Sequence, residues 1–325
     1  MKAAISVVML QVGISCADWP VLQVTVDAAH QSVPHANGAL VVYADYTGKT
    51  LDDLPNLRWA DLNLGTGGYV VNRAGGDEGI PKSIPVVGVG SRSVTDGQKV
   101  LYAETIWDVN DPNGFAYLYG IYEREAAGGV VTVWYVQTNE NELSTLLPVW
   151  AGTGIVFCSE HEGQRHVYWQ GKPGGSLRRL SGITHIVNTD PATEGRVAVW
   201  EGAANVGATL ARHIVGAEVV TGGMYTIEAL GTAQEQYGVS ISTVGVAWVR
   251  KEGGLYSVRF RSGGGTVNTS VYTSAQSLRG GRLWNQWWIG LEGGSGGTQE
   301  VLAVNVQTGR RVNIGVVAPP LNSPY

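Results

Sequence analysis

The stretch of sequence that decides the fold runs from Gly154 to Gly182 and reads GIVFCSEHEGQRHVYWQGKPGGSLRRLSG. It begins at a glycine, passes through an apolar segment and a polar turn, and returns through an aromatic segment to a second glycine-rich turn. Short runs of β-branched and aromatic residues between clusters of turn residues are typical of antiparallel strands joined by tight turns. This stretch therefore predicts consecutive strands of one antiparallel sheet.

The same unit recurs along the chain. Two close copies are GVAWVRKEGGLYSVRFRSGGG, from Gly245, and GRLWNQWWIGLEGGSGGTQEVLAVNVQTG, from Gly281. Three looser copies begin at Gly38, Gly97 and Gly195. With the copy at Gly154 this gives six units, and roughly 40–50 residues is the usual length of a four-stranded propeller blade.

The repeats predict an all-β chain folded as a β-propeller of about six four-stranded blades. One four-stranded sheet cannot bury both of its faces, whereas stacked blades bury them against each other. Further apolar runs could supply the first strand of a blade, at 83–90, 144–152, 182–188 and 238–245. The alternative fold is a tandem pair of β-sandwiches divided near residues 143–150.

The propeller interpretation makes residues 1–325 a single domain. Ring closure commonly uses a terminal strand to complete a blade begun at the other end of the chain, and the segments 21–27 and 311–317 are candidates for such a shared blade. Helical periodicity is nearly absent. The best helix candidate is the stretch 203–214, which Gly207 interrupts.

The N-terminal segment allows two interpretations. Residues 5–10 favour a buried strand, whereas Lys2, the apolar run 3–12 and the small residues 15–17 match a signal peptide. The second interpretation implies a periplasmic or extracellular protein. The two cysteines, Cys16 and Cys158, both lie in apolar runs and are expected to be buried free thiols.

The composition excludes several classes of partner. The net charge is −5, so the chain lacks the basic excess expected of a protein that binds nucleic acid sequence-specifically. No apolar run reaches the roughly 18 residues of a membrane span. Charged residues make up 15% of the chain, whereas Gly (46), Trp (11) and Tyr (14) are abundant. This balance favours extensive sheet and contact surfaces.

No catalytic or metal-binding signature occurs in the sequence. The segment 108–114, DVNDPNG, has Pro112 at a position where a calcium loop needs a ligand, so it predicts a hairpin turn. The segment 159–166 contains two Glu and two His residues, but it falls between two apolar segments and predicts a solvated turn. Nucleophile-elbow, zinc-protease and phosphate-loop motifs are missing. We therefore predict no catalytic residue, no metal and no cofactor.

The most distinctive local feature is a tryptophan cluster of Trp284, Trp287 and Trp288 with Asn285. In one continuous strand, Trp284 and Trp288 would share a face and Trp287 would oppose them. Exposed indoles beside amide groups suit ligand binding, above all stacking on sugars. The alternative is packing between blades, since comparable positions hold Trp134, Trp169, Trp200 and Trp248.

The repeated order of glycine, a Val- and Trp-rich strand, a glycine turn and a Leu-Tyr-x-Val strand resembles the blades of TolB-type β-propellers. The pattern covers about 280 residues and consists of small and aromatic positions. The resemblance implies an irregular propeller built of repeats. Propeller-like rings also occur in bacteriophage tails.

Three classes of function are open. The favoured hypothesis is a structural or interaction component of a large assembly, specifically a bacteriophage tail or virion protein that forms a homo-oligomer with other protein subunits. The first alternative is a secreted propeller that binds a glycan or a protein. The second is a propeller enzyme that processes polysaccharide or peptide, although the sequence favours a non-catalytic role.

Overall fold

The computed structural model describes residues 6–8, 21–23, 31–47, 56–71, 93–107, 117–136, 147–161, 164–182, 187–206, 209–229, 235–293 and 299–317. This part of the chain consists of β-strands and turns, and none of it is helical. The strands form six four-stranded antiparallel sheets and one two-stranded hairpin. The six sheets are the blades of a β-propeller, which confirms the predicted fold class. Over the same residues, no helix is long and apolar enough to cross a membrane.

The first of two compact units spans residues 1–148 and 173–175. A short hairpin pairs β1 (Ser6–Val8) with β2 (Val21–Gln23). Blade 1 consists of β3 (Gln31–Asn37), β4 (Leu40–Asp45), β5 (Asn56–Asp61) and β6 (Thr66–Val71). Blade 2 consists of β7 (Ser93–Thr95), β8 (Lys99–Trp107), β9 (Tyr117–Glu125) and β10 (Thr132–Val136).

The second unit spans residues 149–172 and 176–325 and contains four blades. Blade 3 consists of β11 (Val149–Ala151), β12 (Gly154–His161), β13 (Gln164–Gln170) and β14 (Leu177–Arg179). Blade 4 consists of β15 (Val187–Thr193), β16 (Val197–Val206), β17 (Thr209–Glu218) and β18 (Met224–Glu228). Blade 5 consists of β19 (Glu235–Ser242), β20 (Gly245–Glu252), β21 (Leu255–Ser262) and β22 (Thr269–Ser274). Blade 6 consists of β23 (Leu278–Trp284), β24 (Trp287–Glu292), β25 (Gln299–Asn305) and β26 (Arg311–Val317).

Within each unit, the hydrophobic core lies between successive blades. In the first unit, Val42 and Leu57 of blade 1 pack with Val100 and Tyr102 of blade 2. In the second unit, Ile214 of blade 4 belongs to a cluster with blade 5, and a further cluster joins blade 5 to blade 6. In each of these pairs the two sheets bury apolar area against each other, worth about 25 cal/mol per Å².

Glycines provide flat surfaces on which aromatic rings pack. The ring of Trp288 lies against Gly281 of the neighbouring strand and Gly290 of its own strand. Trp169 lies in the same way against Gly154 and Gly171. Residues two apart on a strand point to the same face, so a glycine at that position leaves room for the ring. The joint abundance of Gly and Trp in the sequence reflects this packing.

The glycines at which the six repeat copies begin occupy equivalent positions in most blades. Five of them, at 38, 97, 154, 195 and 245, lie at or just before the second strand of a blade. The sixth, Gly281, lies one strand earlier, inside β23. The copy from Gly281 is therefore shifted by one strand relative to the others.

The helix candidate at 203–214 is wrong. Residues 203–206 belong to β16 and residues 209–214 to β17, which pair in register from Val197↔Glu218 to Val206↔Thr209. Alanines of this stretch, such as Ala203 and Ala211, are buried small residues of the hairpin. Tertiary packing here outweighs the helix propensity of alanine, because that propensity is a weak preference.

Three further predictions concern the chain ends, the alternative fold and the thiols. β26 pairs with β25 inside blade 6, and residues 24–27 lie outside the described residues, so the shared blade stays a prediction. The boundary of the two units falls at 148/149, within the expected division at 143–150, but both units consist of blades and not sandwiches. Cys158 is buried, as expected, whereas Cys16 lies outside the described residues.

Candidate functional site

The tryptophan cluster is divided by a tight turn. β23 ends at Trp284 and β24 begins at Trp287, while Asn285 adopts a left-handed conformation with φ of 48°. Asparagine tolerates this conformation and is favoured in two-residue hairpin turns. The expectation of one continuous strand is therefore wrong. Trp284 and Trp287 are cross-strand partners and share a face, whereas Trp288 points to the other face.

The indole of Trp288 is a core side chain. It is fully buried and belongs to the cluster that joins blades 5 and 6. The same holds for Trp200 and Trp248, which are also fully buried, and Trp134 is 4% exposed. At these positions burial in the core favours packing over ligand binding, and Trp248 belongs to the cluster that joins blades 4 and 5.

Buried indole N–H groups find polar partners at two of these positions. The Trp200 Nε1 donates to Asn188 Oδ1 at 2.9 Å, and the Trp134 Nε1 donates to Glu123 Oε2 at 2.7 Å. Lys99 also donates to Glu123, and this hydrogen bond raises the pKa of the lysine. The Glu123 carboxylate thus gives the buried Trp134 N–H a hydrogen-bond acceptor, which avoids the free-energy cost of burying an unpaired polar group.

Trp284 remains accessible, with 41% of its surface exposed. The turn that carries it is held by neighbouring turns. Ser242 Oγ donates to the Asn285 carbonyl oxygen at 2.8 Å, and Val306 N donates to the Gln286 carbonyl oxygen at 2.8 Å. The indole therefore projects from a fixed support formed by blades 5 and 6.

Other exposed apolar side chains lie at the same edge of their blades. We call this edge, which contains the turns between strands one and two and between strands three and four, the turn edge. Its described turns are 38–39, 96–98, 152–153, 194–196, 243–244 and 285–286, and 62–65, 126–131, 171–176, 219–223, 263–268 and 306–310. Five of the six blades carry an exposed apolar residue there, namely Leu64 (73%), Val130 (88%), Val220 (66%), Val267 (70%) and Trp284 (41%).

Sequence reasoning missed four of these five residues. Leu64, Val130, Val220 and Val267 each lie next to or near a glycine within a turn. An apolar residue inside a Gly-rich turn was the signal that could have identified them, because such a residue has no strand face on which to be buried.

Charged residues are concentrated at the seam between blades 4 and 5. Arg250 lies 3.0 Å from Glu228 and 2.6 Å from Glu252, and Arg259 lies 3.5 Å from Glu228. Glu228 and the two arginines are mostly buried. Each charge in this group is paired, as a buried charge must be, so we interpret the cluster as a link between blades.

A similar link joins blades 5 and 6. The Tyr272 hydroxyl donates to Glu292 Oε1 at 2.6 Å, and Arg311 donates to Glu292 Oε2 at 2.6 Å. Burial and the hydrogen bond to Glu292 raise the pKa of Tyr272. Carboxylate, phenol and guanidinium therefore satisfy each other, which leaves none of them positioned as an activated nucleophile.

A second tyrosine at this seam makes the stability depend on pH. The Tyr237 hydroxyl donates to the Leu278 carbonyl oxygen at 2.9 Å, and burial raises the pKa of Tyr237 to about 12. The folded state holds this proton more tightly than the unfolded chain, so the contribution is complete below about pH 10 and declines towards about pH 12. Because Tyr237 is only half-buried and solvent screens its surroundings, we expect the free energy of unfolding to fall by about 1 kcal/mol over that window.

The measurement compares urea unfolding of the wild type and Tyr237→Phe between about pH 9 and pH 12. At about pH 9 we expect the variant to be about 1 kcal/mol less stable than the wild type, because it lacks the hydrogen bond to Leu278. Between about pH 10 and pH 12 its free energy of unfolding should fall less than that of the wild type. Tyr69→Phe serves as the control, because it removes a hydroxyl from an exposed tyrosine in β6 of blade 1. Parallel curves for the wild type and Tyr237→Phe would contradict the assignment.

The segment with two Glu and two His residues forms a hairpin. Ser159 and His166 are cross-strand partners in β12 and β13, and both are buried. His166 Nδ1 lies 3.1 Å from Ser181 Oγ. The side chains of residues 161 and 162 are outside the described part, as is the segment 108–114. Among the described side chains, no group of three or more His, Cys, Asp or Glu could hold a metal ion.

Comparison with known proteins identifies the fold. No protein-family model matches the chain, and no curated protein sequence matches it significantly. Solved β-propeller structures do match it. TolB from Acinetobacter baumannii gives a TM-score of 0.50 with 15% identity, covering 77% of this chain and 56% of that chain.

Two peptidases are also similar in structure. An acylaminoacyl peptidase in complex with a chloromethyl ketone gives a TM-score of 0.58 with 11% identity, covering 88% of this chain and 52% of that chain. Oligopeptidase B from Leishmania major gives 0.55 with 8% identity, covering 89% and 41%. The chain thus spans about half the length of these structures. At such identities the likeness shows the β-propeller fold alone.

Proposed function

We propose that this chain is a non-catalytic interaction propeller that serves as a structural component of a larger assembly. The observation that carries the proposal is the set of exposed apolar residues on the turn edges. Single exposed apolar residues are ordinary on protein surfaces. Within the second unit, the recurrence of Val220, Val267 and Trp284 at the turn edge of three successive blades is what supports a contact surface for other protein subunits.

The assembly we propose is a bacteriophage tail or virion, in which the chain forms a homo-oligomer. The low share of charged residues and the abundance of Gly and Trp support an extended contact surface. The proposed location is then the virion. A periplasmic or extracellular location follows instead if residues 1–17 are a signal peptide.

The experiment is the absolute mass of the full chain in solution, by light scattering or native mass spectrometry. We expect a mass several times the 34.5 kDa of one chain. The double variant Val220→Ser and Val267→Ser should shift the mass to that of a single chain, because it removes two exposed apolar contacts from neighbouring blades.

The matched control is Leu255→Ser, which changes a residue of 50% exposure at the opposite edge of blade 5. It should leave the assembly intact. A wild-type chain that is monomeric at every concentration tested would reject the homo-oligomer. An assembly that survives the double variant would reject the turn edge as its interface.

A second candidate is a propeller enzyme that processes peptide by itself. It is favoured by the two peptidases that the fold matches, with TM-scores of 0.58 and 0.55. The test is hydrolysis of N-acetyl-alanine p-nitroanilide and of a short arginine-containing peptide by the purified chain. Turnover by this chain would favour the peptidase over the assembly component, and no turnover would count against it.

A further inference from the structure

We propose that Trp284 and the uncharged polar residues around it form a binding site for a neutral oligosaccharide. The inference rests on the proposed function, because it assigns a ligand to one part of the same turn edge. The residues of this site differ from those that the sequence-based hypothesis assigned to it. Trp288 is excluded as a core residue, and residues from two further turns are added.

The first argument is that the indole of Trp284 is presented and not packed. It is 41% exposed beside its cross-strand partner Trp287, and the chain reverses directly after it at Asn285. Hydrogen bonds from Ser242 Oγ and Val306 N to the two turn carbonyls hold its backbone in place. A fixed aromatic surface loses little conformational freedom on binding, which favours affinity.

The second argument is the chemistry of the surrounding side chains. Three turns meet at this place, since the turn of β23 and β24 bonds to Ser242 in blade 5 and to the 306–310 turn. Most of their polar residues are amides or hydroxyls, namely Ser242, Thr243, Asn285, Gln286, Gln307 and Thr308. The neighbouring charged residues along the strands are the exposed Arg310, at the end of the third turn, and the exposed Arg282, on the same face of β23 as Trp284. Amides and hydroxyls both donate and accept hydrogen bonds, as the hydroxyls of a sugar do.

The third argument is that hydrogen bonds hold the third turn, residues 306–310, in a defined conformation. Asn305 pairs with Trp287 across β24 and β25, and its Oδ1 accepts hydrogen bonds from Gln307 N and Thr308 N, each at 3.0 Å. This arrangement fixes the backbone beneath the exposed side chains of Gln307 and Thr308. The polar groups are thus placed by a rigid support, as in ligand sites that are formed before binding.

The contrast with Tyr225 shows that exposure of an aromatic ring is not sufficient. Tyr225 is 40% exposed, close to the value for Trp284. Burial raises the pKa of its hydroxyl, and Arg261 and Glu218 also act on it, so charges surround this ring. Tyr225 therefore provides a control of equal exposure in a different chemical environment.

The test is saturation-transfer NMR and calorimetry on the full-length chain with maltohexaose, cellohexaose and chitohexaose. We expect at least one of the three to bind. Trp284→Ser should weaken that binding at least tenfold and Trp284→Phe only a few-fold, because a phenyl ring keeps part of the stacking surface. Tyr225→Ser should leave the affinity unchanged.

Three results would overturn the inference. They are no binding of any of the three oligosaccharides, binding that Trp284→Ser does not alter, and binding of only an acidic probe such as oligogalacturonate. The solution mass keeps the two proposals apart. An intact assembly without oligosaccharide binding rejects this site alone, whereas a monomer that binds through Trp284 rejects the assembly alone.

Discussion

Replacing Gly281 by alanine is expected to destabilise the protein more than any other single methyl group added to blade 6. An added Cβ would collide with Nε1, Cε2 and Cζ2 of the Trp288 indole. The ring cannot retreat, since its other atoms already lie against Gly290 and it is fully buried. Overpacking a core costs about 1–3 kcal/mol and occasionally more, and we expect Gly281→Ala to exceed about 3 kcal/mol.

The measurement is the urea midpoint, or the yield of folded protein if the variant does not accumulate. Trp288→Leu removes the ring that causes the collision, so Gly281→Ala should be less damaging in that background. Gly223→Ala is the matched control, because the nearest atom to its Cβ is Thr221 Oγ1 at 3.7 Å. If Gly281→Ala is as stable as Gly223→Ala, the packing described for Trp288 is wrong.

Truncating Trp200 to alanine is expected to have the second large effect. The side chain is fully buried, and its N–H donates to Asn188, whose own amide donates to the Arg165 carbonyl oxygen at 2.7 Å. The loss therefore combines a cavity with the loss of the hydrogen bond that orients Asn188, the residue that links blade 4 to blade 3. Large-to-small changes of Trp in a core cost about 3–5 kcal/mol.

Trp284→Ala makes the same chemical change at a partly exposed indole and should lower the free energy of unfolding by only about 1 kcal/mol, mainly through the lost cross-strand pair with Trp287. Trp200→Phe keeps a ring but removes the donor to Asn188, so we expect an intermediate loss of about 1–2 kcal/mol. Chemical unfolding of the three variants tests this order. Equal losses for Trp200→Ala and Trp284→Ala would contradict the burial that separates the two positions.

The agreement between sequence and structure is closest where the signal is local. Glycines at 38, 97, 195 and 245 lie at or next to the turns that precede second strands and adopt the positive φ that tight turns need, whereas Gly154 leaves room for the Trp169 ring. The failure at 203–214 has the opposite cause. Alanine favours a helix by itself, but β16 and β17 pair along ten residues each, and this long-range pairing decides the outcome.

Only part of the candidate site could be predicted, because the sequence again carried local information and lacked the long-range part. The sequence placed Trp284, Asn285, Trp287 and Trp288 together as neighbours in the chain. It could not tell that Trp288 is buried and Trp284 exposed. That difference depends on the left-handed conformation of Asn285, which reverses the chain and puts the two indoles on opposite faces.

By itself, the sequence determined an all-β chain of about six repeated blades, since strand alternation and turn chemistry act over a few residues. Only the tertiary structure decided which polar groups meet. Glu228 pairs with Arg250 and Arg259, which lie 22 and 31 residues away in the next blade, and Trp200 bonds to Asn188 across two strands. Such partners are chosen by how strands and blades pack, and no local pattern in the chain encodes that choice.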